Sequence, residues 1–328
     1  MDYQKITLLI QELVTQKVVP GISWGTIDAR GAATNFYGAL GNDAPFAAQM
    51  LSQQHVYDIA SLTKVVGTTT RILQLIDQHK LQLATPIASI LPEYANLECT
   101  IEDLLLHRSG LPADLPDKQH VTKEKVQAYI ISGPISATKQ TVYSDLGFFL
   151  LGEVICHLDQ CSLAESFKHS IFAPMKLTNT DYHVINKQIA VPTEITDTRG
   201  IIQGIVQDSK AYQIKTPIGS AGLFAPLVDL MKFVQCILKN RDQTQAPVFS
   251  QALFQQLLST NINGRTFGWE IKYNQNQEKY LYHTGFSGTS IGMNFKTKEA
   301  LILLTNRTFP NRKERGFIAA REKIYTYI

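Results

Sequence analysis

The sequence predicts an α+β fold: an antiparallel sheet flanked by helices, built from both termini, with a mainly helical domain inserted between its two parts. Three observations predict it. Short β-rich runs separated by turns occupy residues 22–40 near the start and 267–306 near the end. Apolar helical periodicity dominates from 61 to about 217, and a helical pattern lies at each end of the chain. This assigns 1–58 and 218–328 to a discontinuous sheet domain and 59–217 to a helical domain, with the active site between them.

The first helix carries Ile6, Leu8, Leu9, Ile10, Leu13 and Val14 interleaved with Gln and Glu. That is an amphipathic pattern and neither a signal h-region nor a membrane span, so the cytoplasm is the expected location. Pro20-Gly21 leads into strands at 22–28 and 33–40, and Asp28-Ala29-Arg30-Gly31 is a hairpin signal between them. A helix over 61–79 follows, with Leu62, Val65, Val66, Ile72, Leu73, Leu75 and Ile76 on its apolar side. Thr100-Ile101-Glu102-Asp103 opens a short helix, and Asp145 is the expected N-cap of a strongly apolar helix over 145–157. Ser162-Leu163-Ala164-Glu165 is a capping box. Residues 181–216 are polar without a clear period, which predicts a long functional or covering loop. Helices at 229–239 and 250–260 precede strands at 267–272, 279–283, 289–295 and 301–306, and a helix over 311–327 closes the chain.

Composition bounds the function. With 328 residues, 44% hydrophobic, 18% charged and a net charge of +3, the chain is an ordinary globular one. No Lys/Arg run points to nucleic acid or an anionic membrane. Cys99, Cys156, Cys161 and Cys236 are too sparse for a disulfide framework, and none pairs with histidines at zinc spacing. No phosphate-binding loop, H-E-x-x-H or EF-hand pattern is present, so no metal or other cofactor is implied. Nothing in the pattern fixes an oligomeric state.

Ser61-Leu62-Thr63-Lys64, at the mouth of an apolar helix, places a hydroxyl and an amine on one helical side. A serine hydroxyl becomes a nucleophile when a neighbouring base takes its proton, and a partly desolvated lysine can be that base. The helix N-terminus adds free N–H groups beside the developing oxyanion. The same spacing recurs at Ser136/Lys139, inside a turn-rich stretch without helical periodicity, where it is accidental. Gly21-Ile22-Ser23-Trp24-Gly25 matches G-x-S-x-G, but it runs on as a strand where a nucleophile elbow needs a sharp turn into a helix. Tyr143-Ser144-Asp145 stands at a helix entrance, and His283-Thr284-Gly285-Phe286 ends a strand. His107-Arg108-Ser109-Gly110-Leu111-Pro112 reads as a helix stop.

Taken in order, Ser61-Leu62-Thr63-Lys64, Tyr143-Ser144-Asp145 and His283-Thr284-Gly285 resemble the serine β-lactamase and penicillin-binding-protein superfamily, in its class C-like and esterase branch. Tyr57-Asp58-Ile59-Ala60, Gly219-Ser220-Ala221-Gly222-Leu223-Phe224 and Leu304-Thr305-Asn306-Arg307 extend the likeness over nearly the whole chain. The resemblance implies a β-lactamase/transpeptidase-like fold and an acyl-enzyme on Ser61, with Lys64 and Tyr143 together removing its proton. A protonated His283 would be a second cation beside Tyr143, and the amides of Ser61 and Phe286 would form the oxyanion hole. Thr284, Gly285 and Asp145 would line the substrate side. The substrate would be a small ester, an amide or a short peptide.

Two departures modify that picture. His283 replaces the lysine of K-T-G, and a histidine of pKa near 6.5 is only partly charged at neutral pH. Asp145 replaces an amide and adds a negative charge that would disfavour anionic substrates. Both point away from β-lactams and towards an esterase or D-amino-acid peptidase. Two alternatives stay open: a cell-wall D-Ala-D-Ala carboxypeptidase or β-lactamase, and a non-catalytic binder of peptides or wall fragments.

Overall fold

In the computed structural model, which describes residues 1–313 and 315–328, helix α1 (Tyr3–Thr15) packs under the start of the sheet. Strands β1 (Gly21–Asp28) and β2 (Gly31–Gly38) form a tight hairpin in which Asp28 faces Gly31, and the Asp28 carboxylate accepts the N–H groups of Arg30 and Gly31. Strand β3 (Val56–Asp58) then leads to the Ser61 segment and α2 (Thr70–Asp77). The region after it holds α3 (Ile101–Leu105), α4 (Lys123–Ser132), α5 (Asp145–Asp159) and α6 (Leu163–Phe167). It continues through the hairpin β4 (Glu194–Thr196) and β5 (Gly200–Ile202), α7 (Ser209–Ile214) and β6 (Phe224–Pro226). Helices α8 (Leu227–Lys239) and α9 (Gln251–Ser259) precede β7 (Arg265–Thr266), β8 (Trp269–Tyr273), β9 (Lys279–Thr284), β10 (Ser290–Asn294) and β11 (Glu299–Thr305), and α10 (Phe317–Tyr325) ends the chain.

The main sheet is antiparallel throughout, in the order β2-β1-β11-β10-β9-β8-β7. Its register is set by the pairs Trp24↔Leu303 and His283↔Ile291. Seven of the eight residues of β1 are buried, because both faces of the sheet are covered. On one face Ile6, Ile10 and Leu13 of α1 meet Trp24, Leu301, Leu303, Phe317 and Tyr325. On the other, α8 comes so close that a Cβ on Gly25 would overlap Met231, and a continuous core runs from there into the helical region. Five strands from the end of the chain thus sit beside two from its start, and His283 comes to the edge of the cleft from the sheet side.

Several local expectations are corrected. The helix expected over 61–79 is broken into a 3-10 turn at Ala60–Leu62, a π turn at Lys64–Thr69 and then α2. The Thr70 hydroxyl bonds Val65 O at 2.8 Å inside the π turn, and the Phe167 ring packs where a Cβ on Gly67 would lie. The N-cap of α5 is Ser144, whose hydroxyl accepts the Gly147 N–H; Asp145 is the first helical residue and its side chain is free for other work. Residues 181–216 are no plain loop, since they contain the β4–β5 hairpin and α7. Among the described residues the closing helix spans Phe317–Tyr325, shorter than the expected 311–327.

Candidate active site

The site is built on a strained turn. Asp58, at the end of β3, is buried, and its two carboxylate oxygens accept the N–H groups of Ala60 (2.8 Å) and Gln207 (2.7 Å). Ala60 is held at φ +48°, a left-handed conformation that costs a non-glycine residue energy and persists here because both sides are bonded. Burial pushes the Asp58 carboxyl up to about 6, against the two N–H bonds that favour its charge. The turn aims Ser61 into a cleft of about 390 Å³ lined by Ser61, Tyr143, Asp145, Lys210, Thr284 and Phe286 among others. The Ser23 of the G-x-S-x-G match is buried in β1 against the Tyr57 hydroxyl, and Lys139 pairs with Asp103 away from the cleft.

Lys64 lies fully buried beneath Ser61. Its Nζ donates to Ser61 Oγ at 2.9 Å and to Ser220 O at 2.8 Å, and pairs with Asp145 Oδ1 at 2.7 Å. Three acceptors match the three protons of an ammonium. Burial disfavours that charge, but Asp145 and Tyr143 outweigh it and raise the amine above the ordinary lysine value. The bonds to Ser61 Oγ, Ser220 O and Asp145 thus favour the ammonium form of Lys64.

Tyr143 borders the cleft, half exposed, with the Lys64 ammonium 5.1 Å and the Arg265 guanidinium 5.6 Å from its ring centroid. Arg265 comes from the edge strand β7. His107, at φ +56° just past α3, stacks on Tyr143 at 4.4 Å and accepts the Ser144 N–H at Nδ1. His283 is buried between Tyr143 and Trp269, and neither ring nitrogen bonds a protein atom among the described residues. Burial first, then Lys64 and Arg265, push it down to about 3. His283 is thus neutral, which corrects its expected role as a cation; Arg265 holds that place.

Asp145 projects from the start of α5 between two lysines. Lys64 sits on Oδ1, and Lys210 of α7 approaches Oδ2 at 3.4 Å while bonding Asp114 at 2.8 Å. Asp114 also holds Lys118 at 2.8 Å. Burial alone would raise the Asp145 carboxyl, yet the two lysines hold it down to about 2. The expectation that Asp145 presents an uncompensated negative charge to substrate is corrected accordingly.

Opposite these charges, Thr284, Gly285 and Phe286 form the far wall. Ser287 Oγ donates to Asp58 O and Thr289 Oγ1 to Ile59 O, which ties the β9–β10 turn to the turn that carries Ser61. A Cβ on Gly285 would overlap Thr289 Oγ1 and the Ile59 carbonyl, so glycine is needed for this approach. The amides of Ser61 and Phe286 donate to no protein acceptor among the described residues and border the same cleft. Phe286 is half exposed under the guanidinium groups of Arg307 (4.9 Å) and Arg312 (5.3 Å). Among the described residues no group of three or more His, Cys, Asp or Glu converges on a metal position.

Residues 6–323 match the family model described as Beta-lactamase. The chain belongs to the beta-lactamase family. This family member is 26% identical over 299 residues to an N-acetylmuramyl-L-alanine amidase of Bacillus subtilis (strain 168), covering 77% of this chain and 68% of that protein. It is 24% identical to a putative D-alanyl-D-alanine carboxypeptidase of Escherichia coli (strain K12), covering 100% of this chain and 85% of that one. Its fold superposes on a class C beta lactamase from Rhodobacter sphaeroides with a TM-score of 0.78 at 16% identity, covering 98% of each chain. EstCE1, a hydrolase with promiscuous acyltransferase activity, superposes with a TM-score of 0.78 at 15% identity, also over 98% of each. Sequence reading of this beta-lactamase-family chain missed Lys210, Asp114 and Arg265. Each lies outside the ordered motifs: α7 brings Lys210, β7 brings Arg265, and the segment between α3 and α4 brings Asp114.

Proposed function

We propose that this family member is a serine hydrolase that cleaves small esters or amides through an acyl-enzyme on Ser61, as a carboxylesterase or D-amino-acid peptidase with poor β-lactam turnover. The reading is carried by the Lys64 ammonium, which ties Ser61 Oγ, Ser220 O and Asp145 to one nitrogen beside Tyr143. Because Lys64 already holds its proton, Tyr143 is the base. A phenol of pKa about 10 loses about 4 kcal/mol acting as phenolate at pH 7, and the cations Lys64 and Arg265 stand 5.1 and 5.6 Å from the Tyr143 ring.

Ser61 Oγ attacks the carbonyl carbon while its proton passes to Tyr143 Oη. The oxyanion is received by the Ser61 and Phe286 amides, where losing one donor costs roughly 2.7–4 kcal/mol. Tyr143 returns the proton to the leaving oxygen or nitrogen as the carbon–heteroatom bond breaks. It then takes a proton from the water that attacks the acyl-enzyme and hands it to Ser61 Oγ as the acyl carbon–oxygen bond breaks, which releases the acid and restores the serine. A neutral His283 supplies no fixed cation for a β-lactam carboxylate, which favours ester over lactam. The amidase and carboxypeptidase relatives favour a second reading, in which the scissile bond is an amide of a wall peptide.

A fluorophosphonate followed by mass spectrometry tests the nucleophile, and a panel of short nitrophenyl esters, D-Ala-D-Ala peptides and nitrocefin tests the substrate class. An adduct on Ser61, its absence in Ser61→Ala, and ester cleavage well above nitrocefin turnover are expected. No adduct, with Ser61→Ala unchanged, would leave a binding protein; fast nitrocefin turnover would overturn the substrate reading.

A further inference from the structure

We propose that Lys210 is a positioning residue of the Ser61 centre, shared with Lys64 through Asp145 so that Asp145 can carry a full charge without capturing Lys64. The proposal rests on the hydrolase reading above. Beside Ser61 the charges alternate in a row: Lys64, Asp145, Lys210, Asp114, Lys118, with successive contacts of 2.7, 3.4, 2.8 and 2.8 Å. Each acid lies between two lysines. Lys210 is 2% exposed, and a lysine so buried needs an electrostatic reason to be there.

The row makes the role of Lys210 separable. If Lys210 is lost, Asp114 keeps Lys118, whereas Asp145 keeps only Lys64. That carboxylate would then draw the ammonium away from Ser61 Oγ, at present 2.9 Å off. The other groups facing this cluster are Asp208 on the turn of Lys210, Arg265 and Tyr143, and the neutral His107 and His283. None of them replaces a cation on Asp145 Oδ2. Segment 207–210, with Gln207 bonded to Asp58, is thus bound both to the nucleophile turn and to its counter-charge.

The sign is fixed by charge. Removing Lys210 takes a cation from the site, which makes loss of the base's proton harder and moves the ascending limb of kcat/KM to higher pH. Removing the charge of Asp145 moves it to lower pH. Removing both cancels.

The experiment is the pH profile of nitrophenyl ester cleavage by the full chain and by Lys210→Met, Lys210→Arg, Asp145→Asn and the Lys210→Met/Asp145→Asn double variant, with a thermal melt of each. In Lys210→Met the limb moves up by about one pH unit and kcat at pH 7 falls about tenfold, with KM changed less than about threefold. Asp145→Asn moves the limb the opposite way, the double variant brings it back, and Lys210→Arg stays near the parent. A folded Lys210→Met with an unmoved limb, or a double variant carrying the sum of both losses, overturns the proposal. Should Lys210→Met fail to fold, the limbs of Asp145→Asn and the double variant decide by the same signs. A parent that labels on Ser61 while the limbs stay fixed overturns this inference alone; a parent that neither labels nor cleaves esters overturns the hydrolase reading with it.

Discussion

At His283 the local environment decides what the residue can do. Its ring is packed between Tyr143 and Trp269, with Lys64 and Arg265 close enough to repel a proton. Burial and both cations lower its pKa, so it stays neutral through the physiological range. The His283 ring resonance should therefore keep its neutral shift in an NMR titration from pH 8 to about 4; an inflection between pH 6 and 7 would contradict the packing described here. Arg265 has a complementary role, and Arg265→Met should lower kcat on esters about tenfold while leaving the melting midpoint within a few degrees, measured by steady-state kinetics and calorimetry. Ser61, Lys64 and Tyr143, which the structure brings together, stood out in the chain because they sit in short motifs of fixed order. The state of those groups did not. Whether Lys64 is an amine or an ammonium depends on Asp145, Ser220 and Lys210, and no local pattern announces that these residues meet.

The Ser61 segment shows how an element can be visible in a sequence while its geometry is hidden. Apolar spacing marks a helix after Ser61, but the 3-10 and π turns arise from the bonds of Asp58, the Thr70 hydroxyl and the close approach of Phe167 to Gly67. Hairpins, capping boxes and sheet strands were readable because their determinants are adjacent in sequence. The β4–β5 hairpin and α7 were not, since their polar residues serve distant partners such as Arg312 and Asp114. Two predictions belong to this scale. Gly285→Ala should place a methyl against Ile59 O and Thr289, lowering stability by roughly 1–3 kcal/mol and slowing Ser61 labelling, as a melt and a labelling time course would show. Asp58 titrates near 6 in the fold and near 3.9 unfolded, so the folded chain takes the proton first and gains stability from this group as pH falls from about 7 towards 4. Asp58→Asn lacks that gain. The difference in melting midpoint, parent minus variant, should be more positive at pH 5 than at pH 8; a constant difference would refute the account.

Taken as a whole, the molecule joins two halves across a charged seam. Sheet strands from both ends of the chain were foreseen from the two β-rich regions, and one antiparallel sheet unites them. What holds the helical region together around the cleft includes carboxylates whose pKa values lie below the ordinary range: Asp103, Asp114, Asp145 and Asp159. A depressed carboxylate stabilises the fold above its unfolded pKa of about 3.9 and ceases to do so as pH falls through its folded value, about 2 for Asp145. Acid unfolding followed by circular dichroism should accordingly steepen between about pH 4 and 2, and Asp145→Asn should lose part of that dependence. A profile identical to the parent's would assign the seam to other groups.

Lys64 Nζ gathers chain segments that are made at very different times. Ser61 and Lys64 leave the ribosome early, Asp145 follows, and the carbonyl of Ser220 comes last of the three acceptors. A nascent chain cut short before residue 220 carries the hydroxyl but cannot complete the ammonium beside it. On the proposed hydrolase reading, reactivity at Ser61 would be a property of finished chains, and a serine-directed probe would count correctly folded molecules rather than synthesised ones.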